Sequence, residues 1–194
     1  FEKENGQLPR LGDLFRQTKV NSGTNLNNRN FTLLGDPALC LSYPNFSVST
    51  TAISDTISAL GEVSISGQIE DENGNLLSNF NGLVFPTVYD KAETLTTLGQ
   101  ESSSPMPYKS QNNILYKGKA TVENGIFSFS FVVPKDIAYN FGSGRISYYA
   151  VSDDSLTDAS GYDESFIIGG TATNILEDNE GPEIELFINN EQFI

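Results

Sequence analysis

Cys40 is the one residue in the chain that could act as a thiol nucleophile, and the sequence provides no base to activate it. The 194 residues include a single cysteine and no histidine. Ser-His-Asp and Cys-His catalysis both need an imidazole, so neither can be completed within this chain. Zinc sites built on histidine or on several cysteines are excluded for the same reason. Because Cys40 lies between Leu39 and Leu41, we expect it to be a small, buried core residue.

Oxygen ligands for a calcium ion occur in two parts of the chain. In the first, Asp71, Asn73 and Asn75 match the beginning of a D-x-N-x-N calcium loop. The glycine and the bidentate acid that such a loop requires are replaced by Leu76 and Gly82. The Asn-Gly step inside this segment is typical of a β-hairpin, so we expect a hairpin turn there.

The second group is a cluster of acids across the predicted acidic loop and the residues that follow it. Its members are Asp153, Asp154, Asp158, Asp163 and Glu164. Such a set could meet a cation or supply a glycosidase carboxylate pair, but its spacing singles out no pair, and a solvated loop is the commoner case. We therefore expect no catalytic, cofactor or metal site. The alternative is calcium bound by residues from the set Asp71, Asn73, Asn75, Asp153, Asp154 and Asp158.

Composition narrows the class of protein further. The net charge is −14, from 11 basic and 25 acidic residues, which opposes binding to nucleic acid. Hydrophobic residues make up 38% and charged residues 19%, as expected for a globular chain. No apolar run approaches the ~18 residues that span a bilayer. The first residues, Phe1 to Glu4, contain neither an initiating methionine nor the basic and apolar residues of a leader peptide. We therefore expect a fragment of a longer protein.

The beginning of the chain predicts one helix. Leu11, Leu14 and Phe15 recur at helical spacing, which indicates a helix over residues 9–20. Residues 21–23 end the pattern, and we expect residues 25–30 to form a loop.

From residue 46 onward the apolar residues alternate, which indicates β-strands separated by turns. We expect strands over 46–50, 63–69, 83–89, 114–122, 126–133, 145–151 and 162–168. Pro86 favours an edge strand or a bulge. We expect a long exposed loop over 99–113, an acidic loop over 153–161 and a linker over 171–181. Residues 183–188 have strand character. The pattern predicts a mainly β protein, an immunoglobulin-like or fibronectin-like β-sandwich preceded by a short segment with one helix.

Residues 114–133 contain the clearest hairpin signal. Strands 114–122 and 126–133 are separated by Glu123-Asn124-Gly125. In the second strand the phenylalanines at 127, 129 and 131 alternate with serines, so we expect the aromatic rings to face the core. Tyr148 and Tyr149 could add a binding surface, although core packing is the commoner role for such residues.

Five segments resemble one known family in their order along the chain. They are N-F-T-L-L-G-D-P-A-L at 30–39, F-N-G-L-V-F-P-T-V-Y-D-K at 80–91, N-I-L-Y-K-G-K-A at 113–120, F-S-F-S-F-V-V-P-K-D-I at 127–137 and D-N-E-G-P-E-I at 178–184. The family is that of the gingipain-like (family C25) cysteine peptidases. The match is best to its PorU-type branch, the sortases of the type IX secretion system.

The resemblance implies a parent protein at the outer-membrane surface of a Gram-negative bacterium, which removes sorting signals from secreted cargo. It implies that residues 1–44 end a caspase-like peptidase domain with one helix and short strands. Residues 45–175 would form the sandwich, and 176–194 would lead to a following domain. The catalytic Cys and His of the family have no counterpart here, and Cys40 does not match the catalytic motif. Partners would be the peptidase domain, secretion components or cargo. An independent adhesion or carbohydrate-binding module and a sandwich glycosidase are the alternatives.

Overall fold

A computed structural model describes residues 9–23, 26–100 and 102–173. The chain divides into two compact units, with the boundary between Asn45 and Phe46. In the described residues no helix is long and apolar enough to cross a membrane.

The first unit contains two helices, α1 (Leu11–Asn21) and α2 (Leu26–Asn30). Helix α1 confirms the predicted helix. The prediction of a loop over residues 25–30 was wrong, because helix α2 occupies most of this segment. The Asn28 amide donates to the carbonyl oxygens of Lys19 at 3.3 Å and Gly23 at 2.7 Å, and so ties the polar segment to the end of α1.

The Gly-Asp-Pro-Ala-Leu motif at 35–39 caps the N-terminus of α1. The first N–H groups of a helix have no partner within the helix. Here Leu11 N donates to the Leu39 carbonyl at 2.8 Å, and Gly12 N donates to the Pro37 carbonyl at 2.9 Å. A Cβ atom on Gly12 would lie 2.8 Å from Pro37 Cβ, so this close approach requires glycine.

Two expectations for the first unit were wrong. Residues 31–45 form no strand, and their one bridge joins Arg10 to Cys40. Cys40 is exposed rather than buried. The reason is that no described residue from 9 to 45 is buried, so the described part of this unit encloses no core of its own.

The second unit consists of β-strands. They are β1 (Phe46–Ala52), β2 (Thr56–Ala59), β3 (Glu62–Glu70), β4 (Gly82–Tyr89), β5 (Glu93–Thr96), β6 (Pro107–Ser110), β7 (Ile114–Lys117), β8 (Ala120–Val122), β9 (Ile126–Val132), β10 (Gly142–Ser143), β11 (Arg145–Ser152), β12 (Asp158–Asp163) and β13 (Ile167–Thr171). The mainly β class is confirmed.

Eight of the described strands form one sheet, in the order β7-β4-β11-β12-β1-β3-β9, with β8 also paired to β4. The sheet curls so that its ends face each other: the Phe127 ring of β9 lies 5.7 Å from that of Tyr148 of β11, and the Phe131 ring lies 4.6 Å from that of Tyr116 of β7. Strands β10-β13-β2 form a second sheet. The result is the expected sandwich-like arrangement, with the core between the layers.

Asn124-Gly125 forms the tight turn that was predicted, but the predicted pairing of the two flanking strands with each other was wrong. Both residues have positive φ, 52° and 79°, and Glu123 and Ile126 exchange backbone hydrogen bonds of 2.9 and 3.0 Å. This is the geometry of a two-residue hairpin turn. The flanking strands separate at once, because β8 pairs with β4 and β9 pairs with β3.

The segment around Asn73-Gly74 also forms a turn without a long hairpin. A single bridge joins Glu70 to Leu76, and the chain then crosses to β4, which does not pair with β3.

Pro86 lies within a central strand, not at an edge. It pairs with Tyr148 of β11, and on its other side it faces the break between β7 and β8. Its carbonyl accepts from Gly118 N at 3.2 Å. The N–H and C=O of a strand residue point to the same side of the strand. The N–H that Pro86 lacks would therefore have pointed to the break between β7 and β8, which is the kind of irregularity that the predicted bulge required.

Three other boundaries differ from expectation. The predicted loop over 99–113 contains β6, which pairs with β5 in an exposed two-stranded ribbon. The acidic loop is shorter, because residues 158–161 belong to β12. The predicted strand over 162–168 is divided between β12 and β13. Most of the predicted linker and the predicted strand over 183–188 lie outside the described residues.

The alternation along β9 is confirmed. Phe127, Phe129 and Phe131 are buried, whereas Ser128 and Ser130 are exposed. The rings stack along the strand at 6.5 Å between successive centroids, which places one continuous aromatic layer in the core.

Truncation of this layer should destabilise the sandwich. Phe127 is 2% exposed, and we expect Phe127→Ala to lower the free energy of unfolding by about 3–5 kcal/mol, since it removes a large buried ring and leaves a cavity. Ser128→Ala, on the exposed face of the same strand, should stay within about 0.5 kcal/mol. Urea unfolding of the two variants measures the difference, and equal effects would contradict the assigned faces.

Candidate functional site

Asp71 holds a turn together. Its Oδ1 accepts backbone N–H groups from Asn73 at 2.8 Å and Asn75 at 2.9 Å, and the Asn75 amide also donates to it. These hydrogen bonds, above all those from Asn75, lower the pKa of Asp71. The carboxylate oxygen that a cation would need is therefore engaged by N–H donors.

The predicted acidic group is not brought together as a set. Asp154 accepts from Ser152 Oγ at 2.6 Å and from Leu156 N at 3.0 Å, and the Ser152 hydroxyl in particular lowers the pKa of Asp154. Asp158 opens β12, where the Tyr149 hydroxyl reaches it at 3.4 Å. Asp163 ends β12 and accepts from Ser165 N at 2.7 Å. Partial burial raises the pKa of Asp163, but the Ser165 hydrogen bonds outweigh it and the pKa is lowered.

Among the described residues, no three or more His, Cys, Asp and Glu side chains are placed to hold a metal ion. Two of the acids, Asp153 and Asp154, share a polar depression of about 300 Å³ with Asn79 and Asn81. Asn81 fixes one wall of it, because its carbonyl accepts from Asp153 N at 3.0 Å. The acids mainly shape turns at this end of the sandwich.

The outer face of the sheet carries exposed aromatic residues that were not predicted as a group. Phe85 of β4 is 39% exposed and Tyr149 of β11 is 45% exposed, and their rings stack with centroids 6.5 Å apart. Tyr162 of β12, at 73% exposure, lies on the neighbouring strand. These three residues form what we call the aromatic face. Its signal in the sequence was the alternation in β4 and β11, which turns Phe85 and Tyr149 away from the core.

The Tyr148-Tyr149 pair is divided between two environments. Tyr148 is buried, and its hydroxyl lies 2.8 Å from Thr50 Oγ1. Burial raises the pKa of Tyr148 to about 12, so the hydroxyl stays neutral and serves the core. Tyr149 faces solvent. The aromatic face can contact a flat or apolar partner surface, and it carries no nucleophile–base pair.

The Asp71 turn should make stability depend on pH in one direction. A lowered folded-state pKa means that the ionised carboxylate stabilises the fold above the unfolded pKa, near 3.8, and that this contribution is lost as pH falls through the folded pKa. We expect Asp71→Asn to be less stable than wild type at pH 7, with the difference shrinking below about pH 4. Denaturant unfolding at several pH values measures it. Asp153→Asn is the control, and a gap for Asp71→Asn that does not change with pH would contradict the assignment.

Among known proteins, one solved structure is similar to nearly the whole chain. No family model and no curated protein matches the chain. The chain is similar to part of dimeric latent PorU from Porphyromonas gingivalis, with 32% identity over 98% of the chain and a TM-score of 0.64. Spo0M, a sporulation control protein from Bacillus subtilis, aligns over 66% of the chain and 51% of its own, at 13% identity and a TM-score of 0.37. The chain spans 19% of the PorU chain, and it corresponds to a region of a PorU-like protein.

Proposed function

We propose that this chain is the non-catalytic β-sandwich region of a cell-surface, C25-type cysteine peptidase that acts as a sortase in type IX secretion. The observation that carries the proposal is the similarity to PorU over 98% of the chain at 32% identity. The composition agrees with it, because the chain has no histidine to activate its single cysteine. The parent protein would act at the outer-membrane surface of a Gram-negative bacterium.

The first unit would be the end of the parent's peptidase domain. Leu11, Leu14 and Phe15 form the apolar stripe of α1, yet none of them is buried within the chain. A helix in a globular protein normally packs such a stripe against a core. In the parent, the rest of the caspase-like domain would cover it. The capping of α1 by the motif at 35–39 would then form the last contact of that domain before the sandwich begins.

The sandwich would hold the peptidase domain or dock secretion partners, and the aromatic face is the best candidate for the contact. Phe85 and Tyr149 present stacked rings to solvent from the adjacent strands β4 and β11. Aromatic residues are enriched at protein interfaces because they combine apolar area with a polar end and few rotamers. The ladder between β4 and β11 pairs Phe85 with Tyr149, and β12 pairs with Tyr149 on its other side.

The isolated chain should have no peptidase activity. We expect no cleavage of a fluorogenic peptide that carries a type IX sorting signal, whereas the full-length parent should cleave it. Cys40→Ser in the full-length parent should leave turnover within about twofold, since Cys40 has no imidazole partner in this chain. Turnover by the isolated chain, or its loss in the parent on Cys40→Ser, would contradict the proposal.

A second candidate function is an independent carbohydrate-binding or adhesion module. The aromatic face favours it, because exposed rings can stack on a sugar. A glycan panel and calorimetry with calcium separate the two functions. The proposed function predicts that neither ligand binds at micromolar concentration. A carbohydrate module predicts binding that Phe85→Ala and Tyr149→Ala abolish, with Ser147→Ala as the control on the same face.

A further inference from the structure

A buried ion pair lies where the β5-β6 ribbon leaves the sandwich. Asp90 and Lys91 follow directly after β4, and they are 3% and 8% exposed. Lys91 Nζ donates to Asp90 Oδ1 at 2.7 Å. Burying two charges costs desolvation energy that such a pair regains only in part. The pair therefore calls for an explanation beyond stability.

Asn113 is the third member of this cluster. Its carbonyl accepts from Asp90 N at 2.8 Å, which continues the β4-β7 pairing beyond Tyr89 and Ile114. Its side-chain amide donates to Asp90 Oδ2 at 3.4 Å. One carboxylate thus bridges an amine on one side and a carboxamide on the other.

Neighbouring contacts hold the three side chains in place. The stem of Lys91 lies against Gly142, where a Cβ atom would come within 2.8 Å of Lys91 Cδ, so only glycine leaves this room. The Gln111 side-chain amide donates to the Asp90 carbonyl at 2.8 Å. Arg145 Nη2 in turn reaches the Gln111 carbonyl at 3.4 Å. The start and the end of the ribbon excursion are both tied to Asp90.

We propose that Lys91 and Asn113 join in an intramolecular isopeptide bond, with Asp90 as the proton carrier. Lys91 passes a proton to Asp90 along their hydrogen bond, and the free amine attacks Cγ of Asn113. Asp90 gives the proton to the amide nitrogen as its bond to Cγ breaks. The nitrogen leaves as ammonia, which takes the remaining excess proton from the new amide into water as ammonium. The new bond joins Nζ to Cγ, and no oxidant or reductant takes part.

The carboxylate of Asp90 contacts both groups between which a proton must move. One oxygen of Asp90 accepts from the amine at 2.7 Å and the other from the amide nitrogen at 3.4 Å, so one carboxylate can take a proton from the first group and give it to the second. Proximity replaces an external activating group, since both reactants are held by the same carboxylate. Asn113 itself is exposed, so ammonia has a direct path to solvent.

The bond would brace the base of the ribbon. Strands β5 and β6 pair with each other in a two-stranded sheet whose residues are exposed, apart from the half-buried Ser110. A two-stranded hairpin by itself is marginally stable in water. A covalent link between its two ends would restrict the open states of the excursion from residue 92 to residue 112, as a disulfide does. The chain has a single cysteine, so no disulfide within it can serve this purpose.

The mass of the purified, fully denatured chain tests the proposal. We expect the wild type to be lighter than its sequence by one ammonia, and a protease digest to contain a branched peptide that joins Lys91 to Asn113. Asp90→Ala, Lys91→Met and Asn113→Ala should each restore the full sequence mass. Asn112→Ala and Lys109→Met, which change neighbouring residues of the same types, should keep the loss. A wild type of full mass would overturn the proposal.

Loss of ammonia has one competing source, which the variants separate. Asn-Gly steps at 5–6, 73–74, 81–82 and 124–125 can form succinimides that lose the same mass. That loss would persist in Lys91→Met and would give no branched peptide, and this result would also overturn the proposal.

A nick in the ribbon supplies a second readout that needs no variant. Lys109 is exposed, and limited digestion of the folded chain after this residue cuts between Lys91 and Asn113. With the isopeptide bond, the two fragments should migrate together on a denaturing gel. Fragments that separate completely after this cut would contradict the bond.

Discussion

The sandwich depends on aromatic packing between the two ends of one curled sheet. Phe127, Phe129 and Phe131 project from β9, and they meet Tyr148 of β11 and Tyr116 of β7 with ring centroids 4.6–5.7 Å apart. Each such ring pair adds about 0.5–1.5 kcal/mol to the burial of apolar area. No hydrogen-bonded ladder joins β9 to β7 or β11. The rings therefore hold the layers together where the backbone does not.

The same alternation that fills the core creates the outer surface. Side chains of a strand point in turn to opposite faces, so burial of Tyr148 requires Tyr149 to face solvent. The neighbouring β4 places Phe85 opposite Tyr149 in the ladder. The aromatic face is thus a consequence of the register between β4 and β11. A shift of β4 by one residue would turn Phe85 toward the core and expose Val84 and Val88 instead.

Local sequence signals predict most of the strands, but they do not predict which strands pair. Alternation located β1, β3, β4, β9 and β11, and Asn124-Gly125 does form a two-residue turn. The partner of each strand depends on contacts far along the chain, so the hairpin of β8 with β9 was wrong. Polar composition hid β6, which is held by β5, and α2, which Asn28 ties to α1. Cys40 was misplaced because neighbouring leucines indicate a core only where enough chain encloses them.

The candidate site was predictable in part, for a related reason. The sequence excluded a Cys-His dyad within the chain, because it contains no histidine. It could not show that Asp71 and Asp154 accept hydrogen bonds from turn N–H groups, since that depends on backbone geometry. Nor could it place Asn113 beside Asp90, which the β4-β7 register does. The Asp90-Lys91 dipeptide is charged, and charged residues are almost never fully buried unless paired. Asp90 and Lys91 are buried because they lie where β4 ends and the chain enters the ribbon, and because Gly142 leaves space there for the lysine stem. A polar cluster at that position fixes the direction in which the ribbon leaves, because Asp90 binds both of its ends.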